Sequence, residues 1–301
     1  MNNSYQYKVA RLPFRVIFSE ITEETSETDG NGEYLIPSCR PFNTEFTDEP
    51  LSFTLTVDDN FRPDHKGKEV GQFDCGGNNH GVYLLEDGGY QIVVSDVCKR
   101  KCCLLQTNKD FTEGIVALRG DRTMRSFGLN NSLMMMFAFA NAENGTLLMH
   151  SSVIRKDGIG YLFLGVSGTG KSTHTQHWLD WIPGTDLMND DNPVVRYIDG
   201  KAIVFGSPWS GKTPCYRNIE APIGGFVQLK QAPYNAIREM EVIETFASLL
   251  PSCSVMKWDE RVYVGICSTV SKVMEVTKTY FLENLPDREA VEMSYSSLRH
   301  G

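Results

Sequence analysis

Nine consecutive residues limit what this chain can become more than any others: Gly165-Val-Ser-Gly-Thr-Gly-Lys-Ser-Thr173. The apolar run Tyr161–Leu164 leads into them. Beyond them Thr175, Trp178, Leu179 and Ile182 recur at helical spacing until Pro183 stops the pattern. A strand, a glycine loop and a helix in that order turn backbone N–H groups inward around an anion, with the positive end of the helix dipole behind them. The string satisfies G-x-x-x-x-G-K-[ST]. It is expected to hold the phosphates of a nucleoside triphosphate such as ATP. Gly165, Ser167, Gly168, Thr169, Gly170 and Thr173 form the cradle, Lys171 reaches the β- and γ-phosphates, and the Ser172 hydroxyl ligates Mg²⁺. Such a loop recognises phosphates, so the base stays open.

Downstream, Asn189-Asp190-Asp191-Asn192-Pro193 follows the apolar pair Leu187-Met188. Two adjacent carboxylates at a strand end suit phosphoryl transfer: one holds Mg²⁺ opposite Ser172, and the other accepts the proton of an attacking hydroxyl. The segment Gly206–Asn218 carries small residues with Lys212 and Arg217, and is suited to close over anionic groups. Trp209 within it has two readings, a stacking wall for base or substrate and a core anchor.

Three stretches resemble the catalytic domain of HPr kinase/phosphorylase, a bacterial protein-serine kinase that shares its phosphate-loop fold with phosphoenolpyruvate carboxykinase. They are His150 with a short connection to the glycine loop, Leu187-Met-Asn-Asp190-Asp191, and Ile219-Glu220-Ala-Pro-Ile-Gly224-Gly225-Phe-Val. The resemblance covers roughly the second half of the chain. It implies Asp190 as general base, Asp191 and Glu220 near the metal, His150 beside the reacting groups, and a homo-oligomer. The chain departs from the family pattern in two places. Thr173-His174 stands where a glutamate is usual, and Pro222 where an arginine is expected, leaving Lys212 or Arg217 to replace it. The target HPr is therefore not implied, and the phosphate acceptor is a protein serine or a small molecule.

The first part of the chain reads as β-rich. Phe14–Phe18 and Leu51–Val57 alternate as half-buried strands do, and Val82–Leu85 and Tyr90–Val94 flank the hairpin signal Glu86-Asp87-Gly88-Gly89. The polar stretch from Glu20 to Gly32 reads as an exposed loop. From about Asn130 the pattern becomes mixed α/β: a helix over Leu133–Ala142, a strand over Leu147–Ile154, a hairpin of Val194–Ile198 with Ala202–Phe205, and a strand over Ile223–Leu229. Helices over Asn235–Leu250 and Val264–Val276, a strand over Thr279–Leu285 and a helix opening at Pro286-Asp287 complete it. The expected organisation is a β-rich domain over 1–128 and a kinase-like and carboxykinase-like α/β domain over 129–301.

A net charge of −9 argues against a general nucleic-acid binder. No apolar run approaches the roughly 20 residues that span a bilayer, and the N-terminus lacks a signal-peptide pattern. Eight cysteines without such a signal read as reduced thiols in the cytoplasm. Cys75, His80, Cys98, Cys102 and Cys103 lack zinc-site spacing, and Cys102–Leu105 reads as a buried strand. Three functions compete: a Mg²⁺-dependent kinase acting on a hydroxyl, a nucleotide-responsive binding protein without chemistry, and a carboxykinase-like enzyme.

Overall fold

The computed structural model describes residues 3–21, 32–74, 79–211 and 213–300. The stretch 22–31, expected as an exposed loop, lies outside them, as do Cys75 and Lys212. The chain divides into two compact units, Met1–Asn141 and Ala142–Gly301. The boundary expected at 128/129 thus falls at the end of a helix, not within it.

In the first unit, β1 (Asn3–Val9), β2 (Leu12–Glu20), β3 (Thr54–Asp58), β4 (Lys68–Asp74), β5 (Asn79–Leu84), β6 (Tyr90–Ser95), β7 (Lys101–Thr107) and β8 (Glu113–Leu118) form a mixed sheet. Their order is β1-β2-β3-β8-β7-β6-β5-β4, with β3 parallel to both of its neighbours. Helix α1 (Arg122–Ala140) packs on β6, β7 and β8. It opens a full three turns before the expected Leu133, and Arg125, Gly128, Asn130 and Asn131 mask that first half in the sequence because they stand where a helix usually shows apolar residues. Arg125 and Gly128 are buried, while Asn130 and Asn131 turn their amides back to the carbonyls of Ser126 and Phe127, each at 2.9 Å. Asp121 caps the start by accepting from Met124 N at 3.0 Å. Arg125 is buried against Asp59 at 2.8 Å, and a Cβ at Gly128 would meet Cys103 Cβ at 2.9 Å.

The second unit contains β9 (Thr146–Leu148), β10 (Ser152–Lys156), β11 (Ile159–Leu164), α2 (Lys171–Trp181), β12 (Thr185–Asn189), β13 (Val194–Ile198), β14 (Lys201–Phe205) and β15 (Glu220–Gln231). They are followed by β16 (Ala236–Glu239), α3 (Val242–Leu249), α4 (Glu260–Glu275), β17 (Thr279–Asn284) and α5 (Arg288–His300). The strand order is β12-β10-β11-β15-β14-β13-β9, with β17 pairing β15 and β16 pairing β17. Two expectations need correcting here. The single strand expected over Leu147–Ile154 is two strands, β9 and β10, with His150 and Ser151 in the break between them. The helix expected over Asn235–Leu250 begins as β16, because Ala236–Glu239 finds an antiparallel partner in β17. The helix proper starts at a capping box between Glu241 and Glu244.

Strand β15 joins two sheet regions. Its first residues pair antiparallel with β14, while Phe226–Gln231 pair parallel with β17. The change of partner falls at Gly224-Gly225, where the register against β11 shifts. A Cβ at Gly224 would meet Tyr161 Cε1 at 2.5 Å, and one at Gly225 would meet Leu298 Cδ2 at 2.6 Å. Only glycine lets the strand change sheets this close to its neighbours. One face of the sheet is covered by α2 and α5. Trp178 is fully buried there among Tyr161, Phe163, Val227, Leu282 and Val291, and its indole donates to Ser294 Oγ at 3.0 Å. This packing fixes the helix that follows the glycine loop.

Candidate functional site

The loop runs from the end of β11 into α2 with three glycines at positive φ: Gly165 at 151°, Gly168 at 86° and Gly170 at 96°. A Cβ at Gly165 would strike Thr169 Oγ1 at 2.4 Å, whereas Gly168 and Gly170 face open space. The last two are therefore needed for backbone conformation alone. Ser167 and Gly168 are exposed, as are Ser172 and Thr173 in the first turn of α2. Gly170 caps that helix without a side-chain acceptor, so the first-turn N–H groups of residues 171–173 have no intrahelical partner. A loop of this shape with those donors can hold an anion.

Lys171 folds back under the loop. It is almost buried, and its Nζ donates to Gly165 O at 2.8 Å and to His150 Nε2 at 3.1 Å. An ammonium carries three donors and no acceptor. Nε2 of His150 therefore accepts, the ring proton sits on Nδ1, and one N–H of Lys171 remains for an anion. His150 Nδ1 in turn donates to Asp191 Oδ1 at 2.9 Å, whose Oδ2 accepts from Asn192 Nδ2 at 2.7 Å. Burial lowers the pKa of Lys171, and the charges of Asp191 and Asp190 oppose that shift. The structure thus brings Lys171, His150, Asp190 and Asp191 within electrostatic reach of one another. The break between β9 and β10 makes this geometry: Ser151 N donates to Asp191 O at 2.9 Å, which sets His150 beside the aspartate turn.

Asp190 is buried. One oxygen, Oδ1, accepts from Ser152 Oγ at 2.5 Å, while Oδ2 has no partner. No sequence pattern marks Ser152, since a serine in an apolar strand has many structural uses. Its pairing register decides the matter, because Val153 lies opposite Asn189 and carries Ser152 to the end of β12. Asn189 braces the turn: its Oδ1 accepts from the N–H groups of Asp191 and Asn192 at 2.9 and 3.0 Å. Its Nδ2 donates to Ser207 Oγ and Trp209 O. Trp209 itself is 4% exposed, so the core-anchor reading holds for it.

Other expected site residues fall elsewhere. Arg217 does not point at the loop. It donates to Leu187 O at 2.6 Å and pairs with Asp186 at 2.8 Å, and Asp186 also holds Arg155 in a two-bond fork. Burial alone would raise the Asp186 pKa, but hydrogen bonds from Arg155 and Arg217 outweigh it and hold the carboxyl below its usual value. Glu220 opens β15 opposite Phe205, which lies opposite Val194. Two strand spacings, about 10 Å, separate Glu220 from the backbone just beyond Asp191. Among the described residues no three His, Cys, Asp or Glu side chains cluster as a ready-made metal site. Cys102 and Cys103 lie on β7, where burial pushes their thiols up to about 11 and about 12. Among the described residues no helix is long and apolar enough to cross a membrane.

No family model matches the chain, and no curated protein matches it. Among solved structures it is similar to the HPr(Ser) kinase/phosphatase from Coxiella burnetii, at 13% identity and a TM-score of 0.32, over 52% of this chain and 88% of that one. A likeness of that size carries no weight for function, and the geometry above stands on its own.

Proposed function

We propose that the second unit binds a Mg²⁺–nucleoside triphosphate, ATP or a close relative, and transfers its γ-phosphoryl group to a hydroxyl of a protein serine or a small molecule. One observation carries this reading. Groups from three separate stretches of the sequence, His150, Lys171 and the pair Asp190-Asp191, meet beside a glycine loop that opens into the N-terminus of α2, and a buried carboxylate oxygen of Asp190 has no partner.

The residues divide the work by their chemistry. Lys171 exchanges its contacts with Gly165 O and His150 for the β- and γ-phosphates. His150 keeps Lys171 and Asp191 in register. Asp190, with Oδ1 held by Ser152, accepts the acceptor's hydroxyl proton on Oδ2. The hydroxyl oxygen bonds to the γ-phosphorus, the bond to the β-bridging oxygen breaks, and the nucleoside diphosphate leaves. Mg²⁺ usually takes one or two carboxylates plus phosphate oxygens, not an all-protein cage. The half-buried Asp191 and the exposed Ser172 hydroxyl fit that donor set, whereas Glu220 lies two strand spacings from the backbone just beyond Asp191. When bound, the ion neutralises charge on the β- and γ-oxygens. The free thiols among the described cysteines support placing this chemistry in the cytoplasm.

The test is a phosphotransfer and hydrolysis assay on Asp190→Asn. Turnover should fall by roughly 10²–10⁴-fold with nucleotide affinity retained. Undiminished turnover would show that Asp190 is not the base. Nucleotide binding with no turnover in the wild type would leave a nucleotide-responsive binding protein.

A further inference from the structure

Adjacent residues of an extended strand point to opposite faces of a sheet. Asp190 and Asp191 nevertheless address the same place. Asp190 takes the hydroxyl of Ser152 and Asp191 the imidazole of His150, and those two residues stand together at the entry to β10. Like charges side by side also repel, so the arrangement needs something that holds it. Strand β12 ends at Asn189, immediately before the pair.

Three observations identify what holds it. First, Asn189 is fully buried and spends its whole amide there. Its Oδ1 accepts from the N–H groups of Asp191 and Asn192 at 2.9 and 3.0 Å, and its Nδ2 donates to Ser207 Oγ and Trp209 O at 3.1 and 3.2 Å. An amide has two donors and two acceptor sites, so none is left over. The bonds to Oδ1 make an Asx turn, which takes the chain out of the strand. Second, Ser207 is fully buried and closes the far side of the turn. Its Oγ donates to Asn192 O at 2.6 Å and accepts from Trp209 N at 3.1 Å. Third, the segment after β14 lies along the turn. Asn192 N also reaches Trp209 O at 3.3 Å, and a Cβ at Gly211 would lie 3.1 Å from that of Asp191.

We infer that Asn189 and Ser207 are positioning residues for phosphoryl transfer, an inference that rests on the transfer reading of the site. They hold the turn in which both carboxylates face the entry to β10. Without the Asn189 oxygen, the Asp191 N–H loses its acceptor and the two carboxylates swing apart. Without the Ser207 hydroxyl, the turn keeps its shape but loses its tie to the segment beyond β14. A displacement of about 1 Å in a reacting group can cost about 10²-fold in rate. Every polar side-chain atom of the two residues is engaged at the turn, so neither reaches the glycine loop. Nucleotide binding therefore does not depend on them.

The test measures release of inorganic phosphate from Mg²⁺–ATP by the full chain, with water as the acceptor, alongside ATP binding by calorimetry. Asn189→Ala should lower kcat by about 10²-fold. Asn189→Ser keeps an oxygen able to accept from the Asp191 N–H, and should recover about tenfold of that loss. Ser207→Ala should lower kcat by about tenfold. In all three, the ATP KM and the binding stoichiometry should stay within about twofold of the wild type. Unchanged kcat in both alanine variants overturns the inference, as does equal kcat in Asn189→Ser and Asn189→Ala. A fall in binding stoichiometry that matches the fall in kcat also overturns it, because the residues then serve folding alone. A wild type that binds ATP and releases no phosphate overturns the transfer reading itself, and this inference with it.

Discussion

His174 makes the stability of the helix behind the loop depend on pH in a way that can be worked out beforehand. The ring is 3% exposed and meets Phe163 edge-on at 5.0 Å. Its Nε2 lies 3.3 Å from the indole Nε1 of Trp178 and 3.2 Å from Ser294 Oγ. The indole N–H is shared between Ser294 Oγ and Nε2, and no carboxylate among the described residues faces the ring to stabilise a second proton on it. Burial, with a smaller contribution from His177, pushes the His174 pKa down to about 3 from 6.5. The unfolded chain therefore binds a proton near pH 6.5 that the folded chain refuses until near pH 3. Stability is complete above the unfolded pKa and falls as the pH drops from about 6.5 toward 3. At 1.36 kcal/mol per pH unit, the loss at about pH 4.5 is on the order of 2.7 kcal/mol. Urea denaturation followed by tryptophan fluorescence at pH 7 and about pH 4.5, on the wild type and on His174→Gln, isolates it from the other titrating groups. The wild type should lose about 2–3 kcal/mol more than the variant over that interval. Equal losses would refute the assignment of a neutral, buried His174.

Ser152→Ala should lower kcat by roughly tenfold and leave the nucleotide KM unchanged, because it unseats Asp190 without touching the loop; steady-state kinetics reads the split. Gly168→Ala should cost about 1 kcal/mol from backbone strain alone, since open space surrounds the position. Gly225→Ala should cost more, about 1–3 kcal/mol, because Leu298 must move; thermal melts compare the two. In the first unit, Asp59→Ala strands the buried Arg125 and removes the acceptor of Leu118 N, held at 3.0 Å. Chemical denaturation should show a loss of about 3–5 kcal/mol.

Much of the candidate site could be read before the fold was known, for reasons that lie in local chemistry. Only glycine tolerates the positive φ at Gly168 and Gly170 at no steric cost, so a cradle of that shape announces itself in composition. The lysine at the start of α2 and the paired aspartates at a strand end are short-range features as well. So is the hairpin at Asp199-Gly200, where both residues take positive φ. What stayed hidden was every feature made by pairing between distant segments. Helical composition over Asn235–Leu250 concealed β16, since only β17 supplies its partner. Arg217 carried the right charge for a phosphate, but its direction depended on Asp186.

The sequence by itself determined the glycine loop between strand and helix, the carboxylate pair and the mixed α/β character of the second half, because each follows from backbone conformation or side-chain chemistry within a few residues. Tertiary structure alone decided that His150 bridges Lys171 and Asp191 and that Ser152 holds Asp190. These depend on strand register. A shift of one residue in β10 would turn Ser152 to the other face of the sheet and leave Asp190 without its donor.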